Sequence, residues 1–528
     1  MEDNIDMFAL LPDSLVLAII SYLPFKEAVR TCLLSKYWKH LWVNLPCIEL
    51  KEHFESLEPF GSRNARRRVF LKFVAFWLDN RKDGPVDKFS LIMSNPNDNL
   101  VEDMIDRCVA FVTQHGVKEL ELDFSDPSWE EEVIPFRREA LVELPTMAYK
   151  HQSIQSLKLS SCSFLANGLS NWRELKEVTL SWMEVNTDTL ATLLSSCTMI
   201  ESLVLKKCWN WGHFEIGNET SSLNRLLVEK CSFQNSFFKI NAPNLCFFKY
   251  WGKLLLFEFK NLLAMEDAHL DFYLGYSNAG IGSRVLYDLV NDLYNARVLS
   301  VCPYILQVIR TEERARLARD MNTRHLTVKM NMLTSEVRGV LFFLRSCPML
   351  ECLTIQSGSK ITLPDYQAMW IDSDEDQDDL PMRMQDNDEE QDDQAMLTDS
   401  VSLDNMDNYE SSHDEEDEYY EDGSYLINTV DYMMKNVEYL IYYECLESSL
   451  KVVELKDFTC SKSNLVSQNG LALLCYLIRR GKGLTNVKIN VLKGEIDGEK
   501  NVAFYRMIEE YLMTTPRAST DLQISICY

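Results

Sequence analysis

The 528-residue sequence predicts an α/β protein built as a stacked, curved solenoid of strand–helix units. A small helical unit precedes the stack, and a long acidic segment is set into it. Three observations carry this. A short apolar pattern recurs through the middle of the chain at a nearly constant spacing. The first 45 residues are unusually apolar and helically patterned. Residues 365–424 hold 24 acidic residues against one basic residue, Arg383, a net charge of −23.

The recurring pattern is apolar-x-x-apolar-x-apolar. Its clearest copies are Ile154-x-x-Leu157-x-Leu159, Leu175-x-x-Val178-x-Leu180, Ile200-x-x-Leu203-x-Leu205, Leu223-x-x-Leu226-x-Val228 and Leu350-x-x-Leu353-x-Ile355. Weaker copies centre on Leu120, Phe248, Ala268, Leu299 and Leu326. Eight steps lead from Leu157 to Leu353, a mean of 24.5 residues. That lies inside the roughly 20–29 residues of leucine-rich repeats. The step from Ala268 to Leu299, 31 residues, is too long for the series and leaves the register there open. Cys162, Cys208 and Cys231 each sit three residues beyond the last apolar position of a copy. A small side chain there turns into the core, so these thiols read as structural. Residues 194–205 and 344–355 agree at six of twelve positions, each after a helix-like stretch, 189–195 and 335–344. Helix, Ser-Cys turn and strand make one repeat.

One such unit cannot cover its own apolar face, so units must stack. Strands then line the inner side as a parallel sheet, helices fill the wider outer side, and the stack bends. Strand alternation points Lys158, Thr179, Val204, Leu227 and Thr354 to solvent on the concave side. They are candidates for a target-binding surface by position alone, and each is equally an ordinary exposed strand residue.

Residues 10–45 contain 22 apolar residues of 36. Leu15, Ile19 and Leu23 recur at every fourth position, with Val16 and Ile20 beside them, as on one side of a helix. Asp13 is placed to cap this helix and Pro24 to stop it. A second helix is expected over 26–34, burying Val29, Cys32 and Leu33. A third is expected after Ser35, with Trp38, Leu41 and Trp42 on one side. Three helices this short cannot hide so much apolar surface among themselves. Cys32 and His40 are too few to build a metal site, which leaves two readings: the segment starts the core of a larger domain, or it lies against a partner.

The residues themselves bear on that choice. Leu11-Pro12-Asp13-Ser14-Leu15, Ile19-Ile20-Ser21-Tyr22-Leu23-Pro24, Ala28-Val29-Arg30-Thr31-Cys32 and Leu34-Ser35-Lys36-Tyr37-Trp38-Lys39-His40-Leu41-Trp42 resemble the F-box. The likeness is strongest to plant proteins that join an F-box to leucine-rich repeats. It implies docking on the Skp adaptor of a Skp–cullin–F-box ubiquitin ligase, and through it on the cullin. Carried over by position, the adaptor-facing residues are Leu11, Pro12, Ile19, Leu23, Pro24, Val29, Leu33, Ser35, Trp38, Leu41 and Trp42. Tyr37 departs from the arginine common in the family and removes a positive charge, while Arg30, Lys36 and Lys39 remain.

The acidic segment has five Leu, Ile, Val or Phe residues in 60, too few to offset chain entropy by burial. It is expected to be disordered, as a solvated loop between repeats or as an acidic arm for a basic partner. Ser373 and Ser412 precede acidic runs that suit an acid-directed kinase. The repeat pattern then returns at Leu450-x-x-Val453-x-Leu455 and Leu484-x-x-Val487-x-Ile489, with a helix expected over 471–478. This part resembles the FBD domain of plant F-box proteins, and the insert is expected to interrupt one continuous solenoid. The resulting division is F-box 1–50, helical connector 51–115, repeats 116–363, insert 364–425 and C-terminal repeats 426–528.

The formal charge of −27 argues against nucleic acid or an anionic membrane as partner. Outside 365–424 the charge is only −4. The longest apolar region, 8–25, contains Asp13 and two prolines, so no membrane span is expected. Fifteen cysteines form no CxxC pair or regular framework. The acidic start, Met1-Glu2-Asp3-Asn4, lacks the basic flank of a secretory signal. The expected compartment is therefore the nucleus or cytoplasm, with reduced thiols. Gly280-Ile-Gly282 and Gly481-Lys-Gly483 are incomplete as nucleotide-binding loops, and no HExxH, GxSxG or spaced His/Cys set occurs. No enzyme activity, cofactor or metal is expected. The basic run at residues 63–68 is either an import signal or a solvated helix face. The function expected is a ligase's substrate receptor whose repeats hold a protein target. A ligase-independent interaction scaffold, using the solenoid and the acidic insert, is the alternative that Tyr37 keeps open.

Overall fold

In a computed structural model of the chain, the residues described are 11–357 and 443–527, without residues 35, 53–62, 82–83, 95–98, 127–128, 130–140, 164–171, 211–213, 220, 234–236, 261, 274–278, 310–315, 459–464 and 492–498. The expected disorder of the acidic insert, with Ser373 and Ser412, lies outside them.

Every copy of the apolar pattern forms a strand. The strands are β1 (Cys47–Lys51), β2 (Lys88–Ile92), β3 (Glu119–Asp123), β4 (Ser156–Ser160), β5 (Glu177–Ser181), β6 (Ser202–Lys206), β7 (Arg225–Phe233) and β8 (Phe247–Lys253). They continue as β9 (Asp267–Tyr273), β10 (Val298–Val301), β11 (His325–Met330), β12 (Cys352–Ser357), β13 (Val452–Phe458), β14 (Asn486–Val491) and β15 (Gln523–Cys527). They pair strictly in chain order, each parallel to the next. The middle apolar residue of each copy sits beside that of the next, from Ile48 and Phe89 through Leu157, Leu203 and Leu353 to Ile524. A one-residue slip would turn a whole strand inside out, so the buried row fixes the register.

The doubtful step resolves here. Ala268 pairs with Leu299, and the long interval between them accommodates a helix over Ala279–Asp292. The sheet also starts earlier than the sequence suggests. Residues 51–115 are not a separate connector, because β1 and β2 begin the same ladder and two long helices alternate with them. Leu45-x-x-Ile48-x-Leu50 and Val86-x-x-Phe89-x-Leu91 carry the full pattern, but the steps from Ile48 to Phe89 and from Phe89 to Leu120, 41 and 31 residues, are too long to read as one series in the sequence.

The outer layer departs from the expected helices in one region. From Leu203 to Ala268 the steps shorten to 23, 22 and 20 residues. A helix rises only about 1.5 Å per residue against about 3.3 Å for a strand, so short returns favour strands. The returns are Phe214–Gly217, Phe237–Asn241 and Leu256–Lys260, a second parallel sheet packed through Phe214, Phe238 and Phe257. Helices flank it on either side.

Strand ends share one turn. Ser161, Trp182, Lys207, Lys230 and Asp457 take φ between 49° and 56°, an uncommon left-handed backbone for non-glycine residues. The residue after each turns inward. Where it is cysteine, the thiol donates to the preceding strand: Cys208 to the Leu180 carbonyl at 3.3 Å and Cys231 to that of Leu205 at 3.5 Å. Burial raises the Cys162 and Cys208 thiols far above their ordinary range, so they are poor nucleophiles, as the structural reading requires.

The helices are α1 (Asp13–Ile20), α2 (Phe25–Arg30), α3 (Arg63–Asn80), α4 (Asn99–His115), α5 (Thr187–Ser196), α6 (Ala279–Asp292), α7 (Pro303–Val308), α8 (Thr334–Ser346), α9 (Glu444–Glu447), α10 (Leu465–Arg480) and α11 (Glu499–Thr514). α5 and α8 both end on a cysteine of matching backbone shape, Cys197 and Cys347, which explains the likeness of the segments they lead into. α7 and α8 meet at Gly339, where a Cβ would stand 2.3 Å from the Leu306 carbonyl oxygen. Gly339→Ala is therefore expected to cost about 1–3 kcal/mol despite its better helix propensity. A urea melt of the two proteins checks this.

The stack continues across the acidic insert. β12 pairs with β13 in register, Leu353 against Val453. The Asn469 amide donates to the Met332 carbonyl at 2.8 Å, and the Ser449 hydroxyl to that of Pro348, also at 2.8 Å. Deleting residues 365–424 should leave this junction intact. Shortening the link from 85 to 25 residues should stabilise it by about 1 kcal/mol, read as an unchanged or slightly raised Tm by circular dichroism.

Candidate functional site

Two faces stand out, one at the front of the chain and one along the inner sheet. At the front, α1 has two sides. Val16 and Ile20 are buried, while Leu15 and Ile19, four apart, are 52% and 44% exposed. Tyr22 (90%), Leu23 (43%), Leu33 (83%) and Leu34 (67%) carry the apolar surface beyond the ends of α1 and α2. These six exposed apolar side chains within residues 15–34 make the front of the chain a candidate interaction surface.

The opposite side belongs to the protein's own core. Trp42 stacks on Phe73 of α3 with ring centroids 5.8 Å apart, and Phe25 meets it edge-on at 6.3 Å. The Arg81 guanidinium, after α3, donates to the carbonyls of Val43 and Leu45 at 2.8 and 2.7 Å. Burial lowers its pKa to about 10, still charged at neutral pH. The helical unit is thus both the start of the core and a face turned outward.

The residues assigned to the adaptor divide accordingly. Pro12, Ile19, Leu23, Pro24 and Leu33 are exposed, and Leu11 and Val29 are half-buried. Trp38, Leu41 and Trp42 are buried and form the floor beneath the face. Ser35 lies outside the described residues. Leu33 was expected inside, but α2 stops at Arg30 and a tight turn over Thr31–Leu33 swings it out. The expected third helix is two short turns, Trp38–His40 and Trp42–Asn44. Asp13 does not cap α1, whose N-cap is Pro12. Its carboxylate instead accepts a hydrogen bond from the Tyr37 hydroxyl at 2.8 Å, tying the start of α1 to the second half of the unit. Leu15, Tyr22 and Leu34 were not assigned to this face. For Leu15 the signal was available, in its four-residue spacing from Ile19.

The basic cluster turns inward in part. The Arg63 guanidinium donates to the Ser94 hydroxyl at 2.7 Å, and Arg67 pairs with the buried Glu52 at 3.2 Å and with the Ser94 carbonyl. Two of its arginines thus brace the first repeats and are not a purely solvated face.

The inner face is a set of rows, one residue per strand. Lys158, Thr179, Val204, Leu227 and Thr354 fall on a single row, completed between Leu227 and Thr354 by Lys249, His269, Ser300 and Thr327. Lys158 is exposed and the other four predicted residues are half-buried. At about 4.8 Å per strand the row runs roughly 38 Å from Lys158 to Thr354.

Lys249 and His269 lie in the weak copies at Phe248 and Ala268, which hid them in the sequence, whereas Arg225 lies in the clear copy at Leu226. Arg225 lies over Phe247, the guanidinium carbon 3.8 Å from the ring centroid. His269 Nε2 is 2.8 Å from Asp267, and Lys329 Nζ is 2.6 Å from Asp271. Burial holds the His269 pKa below its ordinary value, with Lys249 and Lys329 acting the same way and Asp267 opposing. Among the described residues no three His, Cys, Asp or Glu side chains are placed to hold a metal, and no helix is long and apolar enough to cross a membrane.

A curved parallel sheet with one row per repeat, fronted by a two-sided helical unit, defines a leucine-rich-repeat protein with an N-terminal F-box. The chain matches the family model of the F-box domain over residues 8–50 and that of the At1g61320/AtMIF1 LRR domain over residues 78–383. It belongs to the F-box/LRR-repeat family. It is similar to a putative F-box/LRR-repeat protein of Arabidopsis thaliana, At1g56400, with 34% identity over 367 residues, 67% of this chain and 75% of the relative. The F-box protein At3g62230 of the same plant is 32% identical over 363 residues, 67% of this chain and 77% of its own. A putative F-box/FBD/LRR-repeat protein, At3g59240, also of Arabidopsis thaliana, is 24% identical over 363 residues, 66% of this chain and 69% of its own. An F-box joined to repeats is the composition of a receptor or adaptor protein.

Proposed function

We propose that the chain is the substrate-recognition subunit of a Skp–cullin–F-box ubiquitin ligase. The observation that carries this is the split face of the F-box: Leu15, Ile19, Leu23 and Leu33 stay exposed on a unit whose other side is packed into the first repeats. Burying each of these side chains contributes about 1.5–3 kcal/mol before the costs of association. On this reading the Skp adaptor covers them and brings the cullin. The repeats hold a protein target, and tethering converts ubiquitin transfer into a nearly intramolecular step. The protein itself supplies no chemistry.

Tyr37 fits this reading. Its hydroxyl holds Asp13 within the unit, which offsets the loss of the family's arginine, while exposed Lys36 and Lys39 remain for an acidic partner. Residues from Leu450 onward, with their FBD-like sequence, serve as the last repeats. The compartment that suits such a subunit is the nucleus or cytoplasm. The test is co-purification of the full chain with a plant Skp adaptor and cullin from cells. Recovery of both supports the proposal. Recovery of stable partners without either would favour a ligase-independent scaffold.

A further inference from the structure

Midway along the inner face, Arg225 and Lys249 have no carboxylate partner among the described residues. Nearby basic groups are engaged: Lys206 lies 3.7 Å from Glu229, Lys329 pairs with Asp271, and Lys230 rests 4.3 Å from the Trp251 ring centroid. Arg225 rests on the face of Phe247, and its in-plane N–H groups meet no acceptor among the described residues, which leaves them open to an anion. Lys249, on the adjoining strand and two residues further along, has no ion pair among the described residues. Strands about 4.8 Å apart and a two-residue advance of about 6.6 Å put the two backbones roughly 8 Å from each other, so both side chains can reach one group. Leu227, Val204 and Trp251 are half-buried neighbours on the same face.

We infer that the patch on β6–β9 grips an extended acidic peptide segment of the target. A carboxylate sits between Arg225 and Lys249, and apolar side chains of the segment lie on Val204, Leu227 and Trp251. The inference deepens the proposed receptor role and rests on it for the identity of the segment's owner as a ligase target. Charge chooses the ligand class. Asp267 and Asp271 flank the two cations, so a singly charged carboxylate is matched, whereas a phosphate dianion or a nucleic-acid backbone meets repulsion. Stacking on Phe247 pre-orders the guanidinium and reduces the entropy lost on binding.

The test uses the full chain and a fluorescent peptide alternating glutamate and leucine, followed by anisotropy at low salt. Binding should weaken about tenfold or more in Arg225→Glu/Lys249→Glu, partly in Arg225→Lys, and little in Lys72→Glu on the exposed side of α3. A glutamine–leucine peptide should not bind. Circular dichroism confirms that each variant is folded. Unchanged binding in the double reversal overturns the inference. So does a phosphoserine–leucine peptide that binds about tenfold tighter. Binding that appears only after deletion of residues 365–424 also overturns it, assigning the patch to the chain's own acidic segment. Adaptor capture measured on the same samples separates the two proposals: its loss with peptide binding intact removes the ligase role and leaves the patch.

Discussion

Ile19→Asp combined with Leu23→Asp is expected to weaken binding of a Skp adaptor by about 10²–10⁴-fold. The melting temperature should stay within about 2 °C of the parent. Both side chains are exposed, so the folded chain loses little when they become charged. In a complex each would place a carboxylate where an apolar contact had contributed about 1.5–3 kcal/mol. Isothermal titration against the adaptor, with a thermal melt of the free chain, reads both quantities. A fall in Tm with unchanged affinity would show that these residues serve folding and not docking.

Trp42→Ala is expected to behave in the opposite way. It removes the stack on Phe73 and the edge contact with Phe25, beneath a backbone that Arg81 holds at Val43 and Leu45. Loss of a buried tryptophan costs about 3–5 kcal/mol. The damage should be local, loosening the helical unit and the first repeats while the distant strands persist, because a solenoid's units depend chiefly on their neighbours. Hydrogen exchange resolved by segment checks this: protection should fall over α1 to β2 and hold over β10 to β14. Adaptor affinity should fall as well, but in step with the loss of structure. Comparing the two variants therefore distinguishes a docking residue from one that supports the docking surface.

That distinction marks the limit of what the sequence could reveal. Spacing alone showed that residues 10–45 are helical and too apolar to stand alone, and the repeat pattern located the buried row from Leu120 to Leu353. Those features are periodic, and periodicity survives in a single sequence. Which side of α1 faces outward is not periodic. Trp38, Leu41 and Trp42 look like contact residues in sequence because they are large and apolar, yet all three are buried, Trp42 against Phe73 of α3. Leu33 looks like core because it sits at helical spacing, yet the helix stops three residues before it. The strand returns at Phe214, Phe238 and Phe257 were hidden for another reason: short intervals and clustered aromatics, not a helical period, decide them. On the inner face the five predicted residues do share a row. Lys249 emerged only when the weak copy at Phe248 was fixed in register by its neighbours, and Arg225, within the clear copy at Leu226, gained its meaning only from its place over Phe247 on the adjoining strand.

The central claim is that one side of the F-box unit belongs to the solenoid and the other to a partner. Amide hydrogen exchange of the full chain, with and without a saturating Skp adaptor, tests it most directly. The account predicts added protection confined to residues 13–34, with β4 to β15 unchanged. Protection appearing on the strands instead, or none anywhere at saturating adaptor, would contradict it.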